Sequence, residues 1–189
     1  MSDQPQFRLL FVCTGNTCRS PMAQVLAERL LGQRGWNNVE VRSAGVSAAV
    51  GGGASEGARA AAEADGLSLG GHTSTHLDRD LVASVDLILT MGAHHADTAE
   101  ALGGEGKVWT VSAFADGGEQ TRGPGVPDPF GGDARIYREC LEALQPLVEA
   151  ALVRIGAEFL GRHAGSLVRV DDSSGRVAES ADRKRADNP

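Results

Sequence analysis

The apolar run FRLLFV (Phe7 to Val12) passes directly into CTGNTCRS and then into PMAQVLAERLLGQRG, a succession that constrains the chain more than any other stretch. A short, continuous apolar run suits a strand covered on both faces. Beyond the loop, Met22, Val25, Leu26 and Leu30 recur at helical spacing. Ser20 is expected at the N-cap of that helix, Pro21 at its first position and Gly35 beyond its end. The chain thus opens with a buried strand, a loop containing Gly15, and a helix entered straight from that loop.

The same alternation continues downstream. VEVRSAG (39–45) reads as a second strand, the Gly- and Ala-rich segment 46–53 as a loop, and SEGARAAAEADG (55–66) as a helix. VDLILTM (85–91) reads as a third strand, HHADTAEALG (94–103) as a helix and KVWTV (107–111) as a fourth strand. Residues 112–132, rich in Gly, Pro and Asp, read as one long loop, a kind that is usually functional or disordered. Asp133 is expected to cap a last amphipathic helix marked by Ile136, Cys140, Leu141, Leu144, Val148, Leu152 and Ile155. Pro146 lies inside it and is expected to kink it, because it removes a backbone donor.

The expected fold is α/β: a doubly wound, four-stranded parallel sheet with helices on both faces. Ligands of such sheets bind beyond the carboxyl ends of the strands, where the strand order reverses. The 13–20 loop follows the first strand at that edge. Residues 1–163 are expected to form one domain, and the polar 164–189 segment a disordered tail without a role of its own.

Composition narrows the partners. The hydrophobic fraction is 41% and the aromatic fraction only 4%, so Val, Leu, Ile and Ala must build the core. A net charge of −7 without a basic stripe argues against nucleic-acid binding. No run reaches the roughly 18–20 apolar residues of a membrane span, and the N-terminus lacks a signal-peptide layout. Three cysteines do not make a disulfide scaffold, so a cytoplasmic setting is expected, with a monomer favoured.

A loop between a buried strand and a helix N-terminus gathers backbone N–H groups and the positive end of the helix dipole, a recipe for binding anions. Cysteines so placed are stabilised as nucleophilic thiolates. In Cys-x5-Arg, Cys13 and Arg19 can both face one oxyanion, which a guanidinium holds through two parallel bonds. A zinc clip built on Cys13 and Cys18 lacks a second close Cys/His pair, so no metal is expected. Cys-x4-Cys is not the thioredoxin spacing either. Cys18 reads as a buried thiol that can also capture an oxidised Cys13 as a disulfide.

VCTGNTCRSPMA resembles the active-site signature of the low-molecular-weight protein tyrosine phosphatase family. VRSAGV (41–46), HTSTHL (72–77), DLILTM (86–91) and DPFGGDARIY (128–137) resemble its later landmarks in order, over about residues 7–162. The resemblance implies a phosphorylated protein as substrate and a phosphocysteine intermediate. It implies Cys13 as nucleophile, Arg19 as the clamp on the phosphoryl oxygens and Asp128 as general acid. Thr14, Gly15, Asn16, Thr17, Cys18, Ser20 and Phe130 would form the substrate site. Asn16 would hold the loop conformation, Ser20 would hydrogen-bond the thiolate, and Ser43 and His72 would support Asn16. His76, His94, His95 and His163 read as surface residues.

Asp128 lies between two prolines that restrict its backbone, and no cofactor is required because Arg19 and backbone amides supply the charge stabilisation. Family members acting on phosphotyrosine typically carry a bulky aliphatic residue at the Thr17 position and often two aromatics after Asp-Pro. Thr17 with DPFGG resembles the protein arginine phosphatase branch, which implies phosphoarginine as substrate. Phosphotyrosine is the alternative. Thiol-linked arsenate reduction needs further relay cysteines, and only Cys140 remains. A non-catalytic phospho-residue binding module would not need Cys13, Arg19 and Asp128 together.

Overall fold

The computed structural model describes residues 7–161. The tail at 164–189 and His163 lie outside the described residues. Four parallel strands, β1 (Phe7–Cys13), β2 (Val39–Gly45), β3 (Leu87–Thr90) and β4 (Val108–Thr110), form one sheet in the order β2-β1-β3-β4. The α-helices are α1 (Arg19–Arg34), α2 (Glu56–Ala64), α3 (Arg79–Ser84), α4 (Ala93–Ala99), α5 (Val111–Ala115) and α6 (Ala134–Ile155), with π-helical turns at Glu100–Gly104 and Gly156–Leu160 continuing α4 and α6.

Side chains of β1 alternate between two cores. Leu9, Phe11 and Cys13 face Met22 and Leu26 of α1, Ala58 and Ala62 of α2, Phe114 of α5 and Leu144 and Val148 of α6. Leu10 and Val12 face the other side, against Val82 of α3 and Ala96 and Ala99 of α4. Burial on both faces explains why β1 is apolar at nearly every position. The order reverses between β1 and β3, so the loop after β1 stands at the switch point.

Local chemistry departs from the sequence expectation at three places. Helix α1 begins at Arg19 with Cys18 in the capping position, not Ser20. The Ser20 hydroxyl is instead taken up by Cys13, Asn16 and the Ala44 carbonyl. Pro21 still falls in the first turn, where no backbone donor is needed. At the other end Gly35 adopts φ 67° and closes the helix.

Strand β4 stops at Thr110 rather than Val111. The Thr110 hydroxyl accepts from the Ala113 amide and starts α5 inside the segment expected to be loop. The short helix α3, capped by Asp78, had no apolar periodicity long enough to announce it. Asp133 caps α6 as expected, accepting from the Arg135 and Ile136 amides, and α6 continues through Pro146 to Ile155 without a break.

Candidate active site

β1 and β2 pair in register from Phe7↔Val39 to Cys13↔Gly45, which sets the 13–19 loop against the end of β2. A Cβ at Gly45 would stand 2.5 Å from the Thr14 carbonyl oxygen and 2.7 Å from the Asn16 nitrogen, so only glycine admits the loop there. The loop backbone is tied to the next turn by Val46 N–H to Cys13 O (3.0 Å) and Ser47 N–H to Thr14 O (2.8 Å).

Asn16 is the hub beneath the loop. It is fully buried with φ 54°, a left-handed conformation that asparagine tolerates better than most residues. Its Nδ2 donates to Ser20 Oγ and to Ser43 Oγ, both at 2.9 Å, and its Oδ1 accepts from the Thr75 amide at 2.8 Å. Its carbonyl oxygen meets His72 Nε2 at 2.7 Å and accepts from Ser74 Oγ at 3.1 Å. Ser43 in turn donates to Gln24 Oε1 at 2.7 Å. Every polar atom of the Asn16 side chain is satisfied, so the left-handed turn is held from several sides at once.

Cys13 Sγ accepts from the Asn16 amide at 3.3 Å and lies 3.0 Å from Ser20 Oγ. Arg19 is buried. Its Nη1 donates to the Val126 carbonyl at 3.1 Å, and its Nη2 to Asp128 Oδ2 at 2.6 Å and to Thr14 Oγ1 at 3.4 Å. Its Nε is buried with no hydrogen-bond partner among the described residues. A guanidinium with a spare buried donor beside a thiol is suited to an incoming oxyanion.

A cavity of about 210 Å³ is lined by Cys13, Thr14, Gly15, Thr17, Cys18, Arg19, Asp128 and Phe130. Phe130 stands at its edge, 76% exposed, and its amide donates to Asp128 Oδ1 at 3.3 Å. Asn16 and Ser20, grouped with the substrate-binding residues on sequence grounds, do not line the cavity. Both are fully buried and act on the loop from below. Cys18 Sγ lies 3.2 Å from Ser55 Oγ, 3.6 Å from Thr17 Oγ1 and 3.7 Å from Tyr137 Oη. Cys140 is buried near the Pro127 carbonyl, and burial pushes its thiol up to about 12.

His95 corrects the sequence reading. It is fully buried rather than a surface residue, and its Nε2 lies 2.9 Å from Thr14 Oγ1. Burial pulls its pKa down to about 4, and the nearby positive charge of His94 and Arg19 acts in the same direction. The available signal was its place just after β3, the strand beside β1 at the switch point. His76 and His94 are exposed as expected. Ser55, Ser74, Thr75 and Tyr137 were not singled out either, because their contacts with the loop span 37 to 119 positions in sequence.

Among the described residues no helix is long and apolar enough to cross a membrane. No group of three or more metal-ligating side chains is gathered among them either.

A doubly wound sheet with a cysteine and an arginine closing one loop at its switch point defines a thiol-centred, anion-binding α/β protein. The profile of the family described as "Low molecular weight phosphotyrosine protein phosphatase" matches residues 8–160, and the chain belongs to that family of cysteine-dependent phosphatases. It is 38% identical over 142 residues to a protein-arginine-phosphatase of Bacillus subtilis, covering 74% of this chain and 91% of that one. It is also 38% identical over 143 residues to the low molecular weight protein-tyrosine-phosphatase Wzb of Escherichia coli K12, covering 75% of this chain and 87% of that one. Among solved structures, the YwlE arginine phosphatase from Geobacillus stearothermophilus superposes with a TM-score of 0.73 at 35% identity, covering 83% of this chain and 97% of that one.

Proposed function

We propose that the chain hydrolyses phosphoarginine in proteins through a phosphocysteine intermediate. The observation that carries this reading is the meeting of Cys13, Arg19, Asp128 and the small, polar Thr17 in one cavity. The Cys13 thiolate attacks phosphorus as the bond from phosphorus to the guanidino nitrogen breaks, and the departing nitrogen takes a proton from Asp128. Water then attacks the phosphocysteine, Asp128 takes its proton, and inorganic phosphate leaves with the thiolate restored. Arg19 and the loop amides balance the charge on the equatorial oxygens, and Ser20 hydrogen-bonds the thiolate between turnovers.

Thr17 supports arginine over tyrosine for a physical reason. A threonine is shorter than leucine or isoleucine and presents a hydroxyl, which suits a planar polar guanidinium better than a phenyl ring. Asp128 can pair with that guanidinium when ionised, and when protonated it can give its proton to the departing nitrogen. Already it accepts a guanidinium N–H from Arg19 at 2.6 Å. The name of the Bacillus subtilis relative agrees with this substrate.

Phosphotyrosine is the second reading, favoured by exposed Phe130 at the cavity edge and by the resemblance to Wzb. A thiol relay for arsenate reduction is not supported by Cys140, whose buried thiol is held protonated. The test is turnover of phosphoarginine and phosphotyrosine peptides side by side, with Cys13→Ser as control. A higher kcat/KM on phosphoarginine and no turnover by Cys13→Ser are expected. Preference for phosphotyrosine would move the assignment to the second reading, and an active Cys13→Ser would overturn the mechanism.

A further inference from the structure

His95 is a buried imidazole that the reaction just described does not use. One ring nitrogen, Nε2, is 2.9 Å from Thr14 Oγ1, while Nδ1 is buried with no hydrogen-bond partner among the described residues. An apolar residue of similar volume would avoid the cost of that unmatched polar atom.

The hydrogen-bond inventory decides how the pair is wired. The Thr14 hydroxyl has one proton and two lone pairs, and Arg19, a donor only, occupies one lone pair at 3.4 Å. Burial disfavours the charged imidazolium, and a neutral His95 carries a single N–H. Placed on Nδ1, that N–H would be buried without an acceptor, and orphaned N–H groups are the rarer kind. Placed on Nε2, it fills the second lone pair of Thr14 and leaves only a bare nitrogen unmatched. Thr14 then accepts twice, and its own proton is left for a third partner. Thr14 lines the cavity with Cys13 and Arg19.

We propose that His95 is a positioning residue that makes Thr14 a hydrogen-bond donor to the bound phosphoryl group. This rests on the reading of the cavity as a phosphate site. By occupying Thr14 from behind, His95 prevents the hydroxyl from donating backwards, and the same contact holds the acceptor that meets Arg19. A phosphoryl oxygen therefore gains one side-chain donor in addition to the guanidinium and the loop amides.

The experiment measures inhibition by inorganic phosphate, with kcat/KM on p-nitrophenyl phosphate, in Thr14→Val, His95→Phe, His95→Gln, His95→Asn and the Thr14→Val/His95→Phe pair. Thr14→Val and His95→Phe are each expected to weaken phosphate about tenfold, as for a lost hydrogen bond to a charged group, and the pair to do no worse than either alone. Glutamine carries its amide nitrogen to about the Nε2 position and is expected to stay within about twofold of the parent. Asparagine reaches only the Nδ1 level and is expected to behave like phenylalanine.

A purely structural His95 would not separate glutamine from asparagine in phosphate affinity. Phosphate binding unchanged in Thr14→Val, or multiplying losses in the pair, would overturn the proposal. Should His95→Phe fail to fold, Thr14→Val and the glutamine–asparagine contrast still decide it. A parent enzyme that neither binds phosphate nor hydrolyses the ester would instead remove the reading on which the proposal rests.

Discussion

Arg19 Nη2 donates to Asp128 Oδ2 at 2.6 Å, joining the start of α1 to a loop 109 positions away. The arginine is buried, while the carboxylate side chain is about half exposed. The rigid partner is therefore Arg19, and in the proposed reaction Asp128 is the one that would turn from it toward a leaving group. A phosphate bound as proposed would compete with Asp128 for the same guanidinium.

That competition sets the outcome of Asp128→Ala. Turnover of phosphopeptides should fall roughly 10²–10⁴-fold, the range for removal of a general acid. Inhibition by inorganic phosphate should be retained or strengthened, because a negative charge leaves Arg19. Steady-state kinetics with phosphate as inhibitor checks both, and loss of phosphate binding would assign Asp128 a structural role instead.

Thr17→Ile should shift selectivity toward phosphotyrosine. The added bulk and lost hydroxyl alter the cavity wall directly, and the ratio of kcat/KM for phosphoarginine over phosphotyrosine should drop at least about tenfold. A ratio that stays put or rises would detach Thr17 from substrate choice.

Gly45→Ala should damage the loop although Gly45 lies outside the cavity. Its new methyl would press on Thr14 O and Asn16 N, backbone atoms that cannot swing aside. A destabilisation of roughly 1–3 kcal/mol is expected from such overpacking, together with lost activity. Urea midpoints and kcat/KM measure the two effects, and unchanged values in both would show that the loop is free to shift.

His95 should make stability fall in acid. In the unfolded chain it takes a proton near pH 6.5, whereas in the fold it stays neutral until about pH 4. Between those values the unfolded state binds the extra proton, so stability declines as pH drops through this window. From pH 7 to pH 5 the loss amounts to about 2 kcal/mol. Urea unfolding of the parent should show that much more pH dependence than His95→Gln, and parallel profiles would contradict a buried neutral His95.

Much of this architecture is legible in one dimension. The apolar β1, the helical spacing after Pro21, Asp133 as a cap and the Cys-x5-Arg loop are local patterns, and local patterns report local structure. The N-cap assigned to Ser20 failed because tertiary partners outbid the helix: Cys13, Asn16 and Ala44 hold that hydroxyl. The end of β4 shifted because Thr110 caps a helix too short to show a period.

The sequence by itself determined the alternation of strands and helices and the strand–loop–helix unit that holds a cysteine and an arginine on one loop, since each depends on neighbours in the chain. The tertiary structure decided the strand order, and with it the switch point, and it added Ser74, Thr75, Gly45 and His95 to the Ser43 and His72 that the family resemblance had placed behind Asn16. Asn16 is fastened by Ser43, His72, Ser74 and Thr75, Gly45 yields space to its backbone, and His95 is buried against Thr14. A histidine beside another histidine in a polar stretch looks like surface. Burial is a property of what the rest of the chain places around it, and for His95 that was the loop at the end of β1.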